Sequence, residues 1–476
     1  MNRFKTIWHS SAVALLCLFS IFFASCDRDD DFDRQLTLVQ KANKFVLDYS
    51  ELYYLWNDKV DYNKSYITAT DPFALFEGLV YRDLDQWSYL TDDAEALFGS
   101  YEGVETTYGY SLTVINFSQL KEYAAVVNFI YPGSPAEKAG LKRGDIIYLM
   151  DGAPITESNY MNLYYSSSMV VETATYDQEN RKLVQTGNTY EMSAVKMDLD
   201  PVNAYKIIEV DNHKIGYICY TDYLISSHAK MNQVCDGFKS AGVTDVVLDL
   251  RYNLGGAANS ASYISSLFAP KSAVINGEVF LKEMWNTALT NYWISKGVSL
   301  SQSFEESAVG HNLDLKRIYI LTTASTASAS EATIVGLKPY MEVITIGEKS
   351  HGKYCAAVLL QPLDGKGQII PEIANWAMSL VAYKYANKDG FTDFTGGLDP
   401  VHEVENDIFS SIPFGDTSEP CLAKAIELIT GKAPSGTVQV KSSYSPEFDS
   451  SCSIFKSATE RLNGARGGMV KFGNIR

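Results

Sequence analysis

The stretch that most constrains this chain runs from Ile318 to Lys353. Ile318-Tyr319-Ile320-Leu321 reads as a short buried strand, and a turn of small polar residues follows it. Ala329 to Leu337 then reads as a helix, ended by Lys338-Pro339. Val343-Ile344-Thr345-Ile346 reads as the next strand, and the loop beyond it carries Gly347-Glu348-Lys349-Ser350-His351-Gly352-Lys353. Ser328, inside Thr326-Ala327-Ser328-Ala329-Ser330-Glu331, therefore sits at a strand-to-helix junction. The unpaired N–H groups and positive end of that helix face whatever a serine there would attack. Lys353 follows 25 residues later. A serine hydroxyl is inert at neutral pH unless a base takes its proton. A lysine is such a base only where burial leaves it neutral. Ser328 and Lys353 are the candidate nucleophile and general base.

A third segment has matching chemistry. Val246-Val247-Leu248-Asp249-Leu250 reads as a buried strand running into Arg251-Tyr252-Asn253-Leu254-Gly255-Gly256. Paired glycines after a strand permit positive φ and close approach to a ligand. The N–H of Gly255 or Gly256 would complete an oxyanion hole with that of Ala329. Asp249, Arg251 and Asn253 are expected to buttress the glycine turn.

The order Asp-Leu-Arg-x-Asn-x-Gly-Gly, Ala-Ser-Ala-Ser-Glu, Gly-Glu-x-x-x-Gly-Lys resembles the carboxy-terminal processing peptidases, or tail-specific proteases. Lys214 to Ile218 is similar to the strand that opens that family's catalytic domain, and the likeness covers about residues 95 to 410. It implies a multidomain α/β fold, a Ser-Lys dyad with no cofactor or metal, and a PDZ domain that helps select substrates. The substrates implied are peptides or proteins, taken by their C-terminal ends. One feature departs from the pattern. Members often carry a polar residue that orients the lysine, at positions that here hold Ala357 and Pro339. His351, Glu331 and Tyr354 are the nearby substitutes. Two readings follow: an active serine endopeptidase, or a peptide-binding scaffold with a weak or disabled core.

The expected organisation has six parts. Residues 1–26 form a signal peptide. Arg3 and Lys5 precede an apolar core, Ala12 to Phe23, too short for a comfortable membrane span. Phe23-Ala24-Ser25-Cys26 resembles a bacterial lipoprotein cleavage site. Cys26 would then carry the lipid and anchor the protein in the cell envelope, on the outer membrane facing either side. Residues 27–33 are an acidic linker. Residues 34–95 read as helical, with Leu38, Ala42, Phe45, Tyr49, Leu52 and Trp56 forming one apolar stripe. Residues 96–197 resemble a PDZ domain. Gly109, Tyr110, Ser111 and Leu112 would form its carboxylate-binding loop, and Gly133-Ser134-Pro135-Ala136 its short capped helix. Residues 198–432 carry the peptidase motifs, and 433–476 form a tail. Oligomers are compatible with this plan.

A net charge of −17 disfavours a nucleic-acid partner, because phosphate binding needs a basic face. Past Cys26, five cysteines with no metal or redox spacing leave room for one disulfide. Cys355 reads as structural. Ser227-x-x-Lys230 and Ser350-x-x-Lys353 fit a penicillin-binding tetrad without its companion motifs. Lys366 lacks the Gly-Glu strand end that precedes Lys353. A Ser-His-Asp triad would draw on His351 or His402.

Overall fold

Helix α1 (Leu38–Tyr53) begins at a capping box, in which Thr37 and Gln40 exchange side-chain to backbone hydrogen bonds of 3.2 and 3.0 Å. The computed structural model describes residues 35–117, 122–177, 180, 182–434, 436, 453–456 and 469–471. The signal segment, Cys26 and the acidic linker lie outside these residues.

The packed face of α1 runs through Ala42, Phe45, Val46 and Tyr53. Leu38 and Leu52, expected on the stripe, are exposed, because the contact face is centred on Val46 and Tyr53 and leaves them on its rim. Beyond α2 (Pro72–Glu77) the expected helical region gives way to loops and to strand β1 (Tyr89–Thr91), which pairs antiparallel with residues 377–379. This N-terminal region has no core of its own. Phe45, Val46, Tyr54 and Phe76 join the main core, and the Leu55 N–H donates to Val381 O at 2.9 Å.

Helix α3 (Ala94–Glu102) runs across position 96 and leads into β2 (Val104–Thr107). A β-rich unit with its own core follows. Its elements are β3 (Tyr110–Phe117), β4 (Glu122–Ile130), α4 (Pro135–Ala139), β5 (Ile146–Met150), β6 (Ala153–Pro154), α5 (Asn162–Tyr165), β7 (Ser168–Asp177) and β8 (Lys182–Ser193). Ser134 caps α4 and Pro135 opens it, as the sequence implies. Strand β9 (Val195–Asp198) returns antiparallel to β2 and closes the unit.

The α/β core then unfolds in order as β10 (Val202–Val210), β11 (His213–Tyr220), α6 (His228–Ala241), β12 (Asp245–Asp249), α7 (Ala258–Phe268), α8 (Lys271–Ile275), β13 (Val279–Trp285), α9 (Thr287–Ser295), β14 (Ser301–Ser303), β15 (Arg317–Thr322), α10 (Ala329–Leu337), β16 (Glu342–Gly347), β17 (Cys355–Leu360), β18 (Ala377–Ala386), β19 (His402–Glu403) and α11 (Pro420–Thr430). One sheet has the order β10-β11-β12-β15-β16-β19, parallel from β11 onward. Period-two alternation explains its burial on both faces. Ile318 and Ile320 of β15 join the main core with Val335 and Ile264, whereas Tyr319 and Leu321 pack under α11 with Leu422 and Ile426. Each such buried aliphatic side chain contributes about 1.5–3 kcal/mol.

The second sheet has the order β14-β13-β18-β17, with β1 also on β18. Two short tail strands complete the sheets. Strand β20 (Ser453–Lys456) pairs antiparallel with β3, and β21 (Met469–Lys471) pairs parallel with β17.

Candidate active site

The three sequence motifs meet because they follow adjacent strands. Loops 250–257, 323–328 and 348–354 leave the C-terminal ends of β12, β15 and β16, which lie side by side in the parallel sheet. Ligand sites of open α/β sheets lie at such ends.

Ser328 is the N-cap of α10, with φ +59° and ψ −107°, outside the regions an L-residue favours. Such a backbone costs on the order of 1–3 kcal/mol, and surrounding contacts must hold it. They do so from two sides. The Glu331 carboxylate is fully buried in the first turn of α10, and its Oε2 accepts the N–H of Ser328 at 2.8 Å and that of Lys353 at 2.9 Å. Its Oε1 accepts the Ser350 hydroxyl at 2.5 Å and the Gly352 N–H at 2.6 Å. On the other side the Tyr385 hydroxyl lies 3.0 Å from Ser328 O and 2.8 Å from Lys353 O. One carboxylate and one phenol thus tie the serine loop to the lysine loop. Burial raises the Glu331 carboxyl, and its four donors pull it back down.

Lys353 is buried, and loss of solvation lowers its ammonium to about 8, against the opposing charges of Asp85 and Glu331. Its Nζ sits 5.2 Å from the centre of the Trp87 ring. Trp87 belongs to a turn held by Asp85, whose Oδ1 accepts the N–H groups of Trp87 and Ser88, each at 2.9 Å. Asp85 Oδ2 is buried with no hydrogen bond of normal geometry, the Tyr54 hydroxyl interacts with the Asp85 carboxylate, and the Asp85 charge also bears on Tyr354 and Cys355. The N-terminal region thereby supplies the surroundings of the lysine side chain. The hydrogen bonds of Ser328 go to Glu331, Tyr385, Ala332 and Met469, and no direct bond joins its Oγ to Lys353 Nζ.

The glycine turn has positive φ at both residues, +111° for Gly255 and +136° for Gly256. A Cβ on Gly255 would stand 3.0 Å from both Ala329 N and Ser328 Cβ, so only glycine lets the turn approach the serine this closely. The two N–H groups differ. That of Gly255 is committed to Asn253 Oδ1 at 2.9 Å. The bridge from Tyr223 to this turn uses Gly255 O and the Ala257 N–H, leaving the Gly256 N–H out of it. Ala329 opens α10, so its N–H has no acceptor within the helix.

The buttress expected of Asp249, Arg251 and Asn253 is present. Arg251 is buried, forks onto Asp249 at 2.9 and 2.7 Å, and reaches Glu419 at 2.6 Å. Asn253 O receives the Ala327 N–H at 3.1 Å and the Ser330 hydroxyl at 3.0 Å, joining the glycine turn to the serine loop.

The remaining sequence candidates fall elsewhere. Pro339 lies past the end of α10, roughly 16 Å along the helix axis from Ser328, and cannot orient the lysine. Ala357 is buried in β17. Lys366 is exposed on a turn, and Lys230 lies against Tyr205. Cys355 is buried with its thiol pushed well up, which leaves it unreactive. Cys219, Cys235, Cys355 and Cys421 are all free thiols. In the β-rich unit, Gly109 has the loop conformation at φ +77°. Tyr110, Ser111 and Leu112 instead belong to β3 and are buried, because the strand pairs with β4 from its first residue and Tyr110 bonds to Leu163 O at 2.5 Å. Sequence reasoning missed Asp85, Trp87 and Tyr385. Nothing in their spacing ties them to Lys353.

Comparison with known proteins bears on the family and the fold. Residues 214–404 match Peptidase family S41, and residues 41–89 match the Peptidase S41 N-terminal domain. The chain belongs to peptidase family S41. The N-terminal match ends just beyond Asp85 and Trp87, so both S41 segments contribute to the site.

Among similar proteins is the carboxyl-terminal-processing protease of Picosynechococcus sp., 25% identical over 243 residues, 50% of this chain and 53% of that protein. The carboxy-terminal processing protease CtpA of Bacillus subtilis is 26% identical over 357 residues, 73% of this chain and 69% of that protein. The chain thus spans about half the length of the first of these relatives. An S41-protease structure from Bacteroides fragilis is 24% identical, with a TM-score of 0.65 over 81% of this chain and 97% of that one. A photosystem II D1 C-terminal processing protease is 16% identical, with a TM-score of 0.50 over 79% of this chain and 96% of that one. These two structures share the fold. No helix among the described residues is long and apolar enough to cross a membrane.

Proposed function

We propose that this S41 protein is a serine endopeptidase of the bacterial cell envelope that cleaves peptides or unstructured C-terminal regions through Ser328 and Lys353. The observation that carries the reading is the double tie between the two residues. Glu331 and Tyr385 each bind the backbone of both, beside a lysine whose ammonium burial lowers to about 8.

In this reading neutral Lys353 takes the Ser328 proton, and Oγ attacks the substrate carbonyl carbon. The N–H groups of Ala329 and Gly256 hold the oxyanion, since that of Gly255 is already used by Asn253. Lys353 returns the proton to the leaving amine as the C–N bond breaks. Water then releases the acyl group, with Lys353 again as base.

The β-rich unit acts as a PDZ domain, binding peptides along β3 by strand addition. Cys26 carries the lipid, so the enzyme is anchored to the outer membrane. A second reading, a peptide-binding scaffold without turnover, draws on the hydrogen bond from the Met469 N–H to Ser328 Oγ, which leaves Lys353 out.

Cleavage of a reduced, carboxymethylated protein by residues 27–476, beside Ser328→Ala and Lys353→Ala, tests the choice. Hydrolysis lost in both folded variants is the expected result. Equal hydrolysis in all three would discard the dyad, and none in the parent would favour the scaffold.

A further inference from the structure

Two strands of the C-terminal tail lie on the two sheet edges where a peptide would bind. Strand β21 extends the second sheet beside β17, with Met469 opposite Ala356, Val470 opposite Ala357 and Lys471 opposite Val358. Its first residue ends at the nucleophile, where the Met469 N–H donates to Ser328 Oγ. The Met469 side chain is fully buried in the main core, and Ser328 itself is 0% exposed. Strand β20 takes the outer edge of β3 in the β-rich unit, antiparallel, with Ser453 opposite Asn116 and Lys456 opposite Val114. That direction carries the chain toward the Gly109 end of β3. An exposed strand edge is a template for any extended chain. Here both edges are taken by one segment.

We infer that the tail, through residues 453–456 and 469–471, is an internal pseudosubstrate. It holds the substrate path of both units, and a substrate enters by displacing it. This rests on the peptidase reading of Ser328 and adds what keeps that serine covered. It also assigns a preference: the residue whose N–H meets Ser328 Oγ carries a large apolar side chain, as Met469 does. The tail acts as a tethered competitor. At an effective concentration of roughly 1 mM, a segment of about 0.1 mM affinity covers about nine sites in ten. Uncovering the site then raises kcat/KM about tenfold.

Met469→Pro in residues 27–476 removes the tail N–H that reaches Ser328 Oγ and breaks the strand, and Met469→Asp disrupts the buried side chain without touching the backbone. Two readouts separate the pseudosubstrate from the peptidase reading: hydrolysis of a reduced, carboxymethylated protein, and amide hydrogen exchange over residues 355–360. Both variants are expected to exchange faster at 355–360 and to show about tenfold higher kcat/KM. A synthetic peptide of residues 449–476 added in trans should restore inhibition competitively. Unchanged exchange at 355–360 in both variants would overturn the pseudosubstrate whatever the activity. Faster exchange with unchanged hydrolysis would overturn it as an inhibitor. Faster exchange with no hydrolysis in any form would uphold the covered edge and remove the peptidase reading instead.

Discussion

Two buried carboxylates flank Lys353, and they are built differently. Glu331 spends both oxygens on four donors, three of them backbone N–H groups from the serine and lysine loops. Asp85 spends one oxygen on its own turn and leaves the other without a hydrogen bond of normal geometry. A fully satisfied buried carboxylate fixes geometry, whereas a half-satisfied one keeps its field for whatever charge lies nearby. Glu331 therefore sets where Ser328 and Lys353 stand, while the Asp85 charge works against the burial that loosens the Lys353 proton.

The largest effect is expected at Glu331. Glu331→Gln keeps the shape but turns an NH₂ toward backbone donors, leaving some unpaired. Such losses cost about 2–3 kcal/mol. Hydrolysis should fall roughly a hundredfold or more by loss of positioning, with a lower melting temperature by calorimetry. If Gln keeps full activity, the geometric role is wrong. Tyr385→Phe should act in the same direction with less force. It removes one bridging hydroxyl of about 1 kcal/mol, so kcat should drop about fivefold while KM stays unchanged.

Asp85→Asn sharpens the contrast, because its effect belongs on the pH axis. In the proposed dyad neutral Lys353 is the active form, so the rate should rise as pH passes about 8 and level off above it. Asp85 favours the ammonium, and removing its charge should move that rise to lower pH. An unmoved profile would reduce Asp85 to a turn residue.

The smallest effect is thermodynamic. The Lys353 value of about 8 lies below the ordinary lysine value of about 10.4. Between those two values the unfolded chain binds more protons, so wild-type stability should rise with pH across that window. Lys353→Met should be the more stable protein near neutrality, with the gap narrowing toward pH 10. Parallel unfolding curves at about pH 7.5 and 9.5 would show it.

The legible part of the site was the part encoded locally. Strand, turn and helix signals bracket Ser328 within a dozen residues, and Lys353 follows the next strand, so the α/β core and both candidates could be placed. Asn253-Leu-Gly-Gly could be placed for the same reason, though only the hydrogen bond to Asn253 separates Gly255 from Gly256. Asp85 and Tyr385 could not. One comes from the N-terminal region and the other from an apolar run in β18, and only tertiary packing brings them to the lysine. Helical periodicity found α1, but it could not tell the core-facing Val46 from the rim position Leu52. The tail has few apolar runs, and its strands owe their place to the free edges that β3 and β17 offer.

The central claim is that buried, neutral Lys353 activates Ser328. Its most direct test is the rate at which a fluorophosphonate probe modifies Ser328 in the intact protein, read by peptide mass spectrometry from about pH 6 to 10. The expected result is modification at Ser328 that accelerates through about pH 8 and disappears in Lys353→Ala. A rate flat across that range, or modification that survives Lys353→Ala, would contradict it.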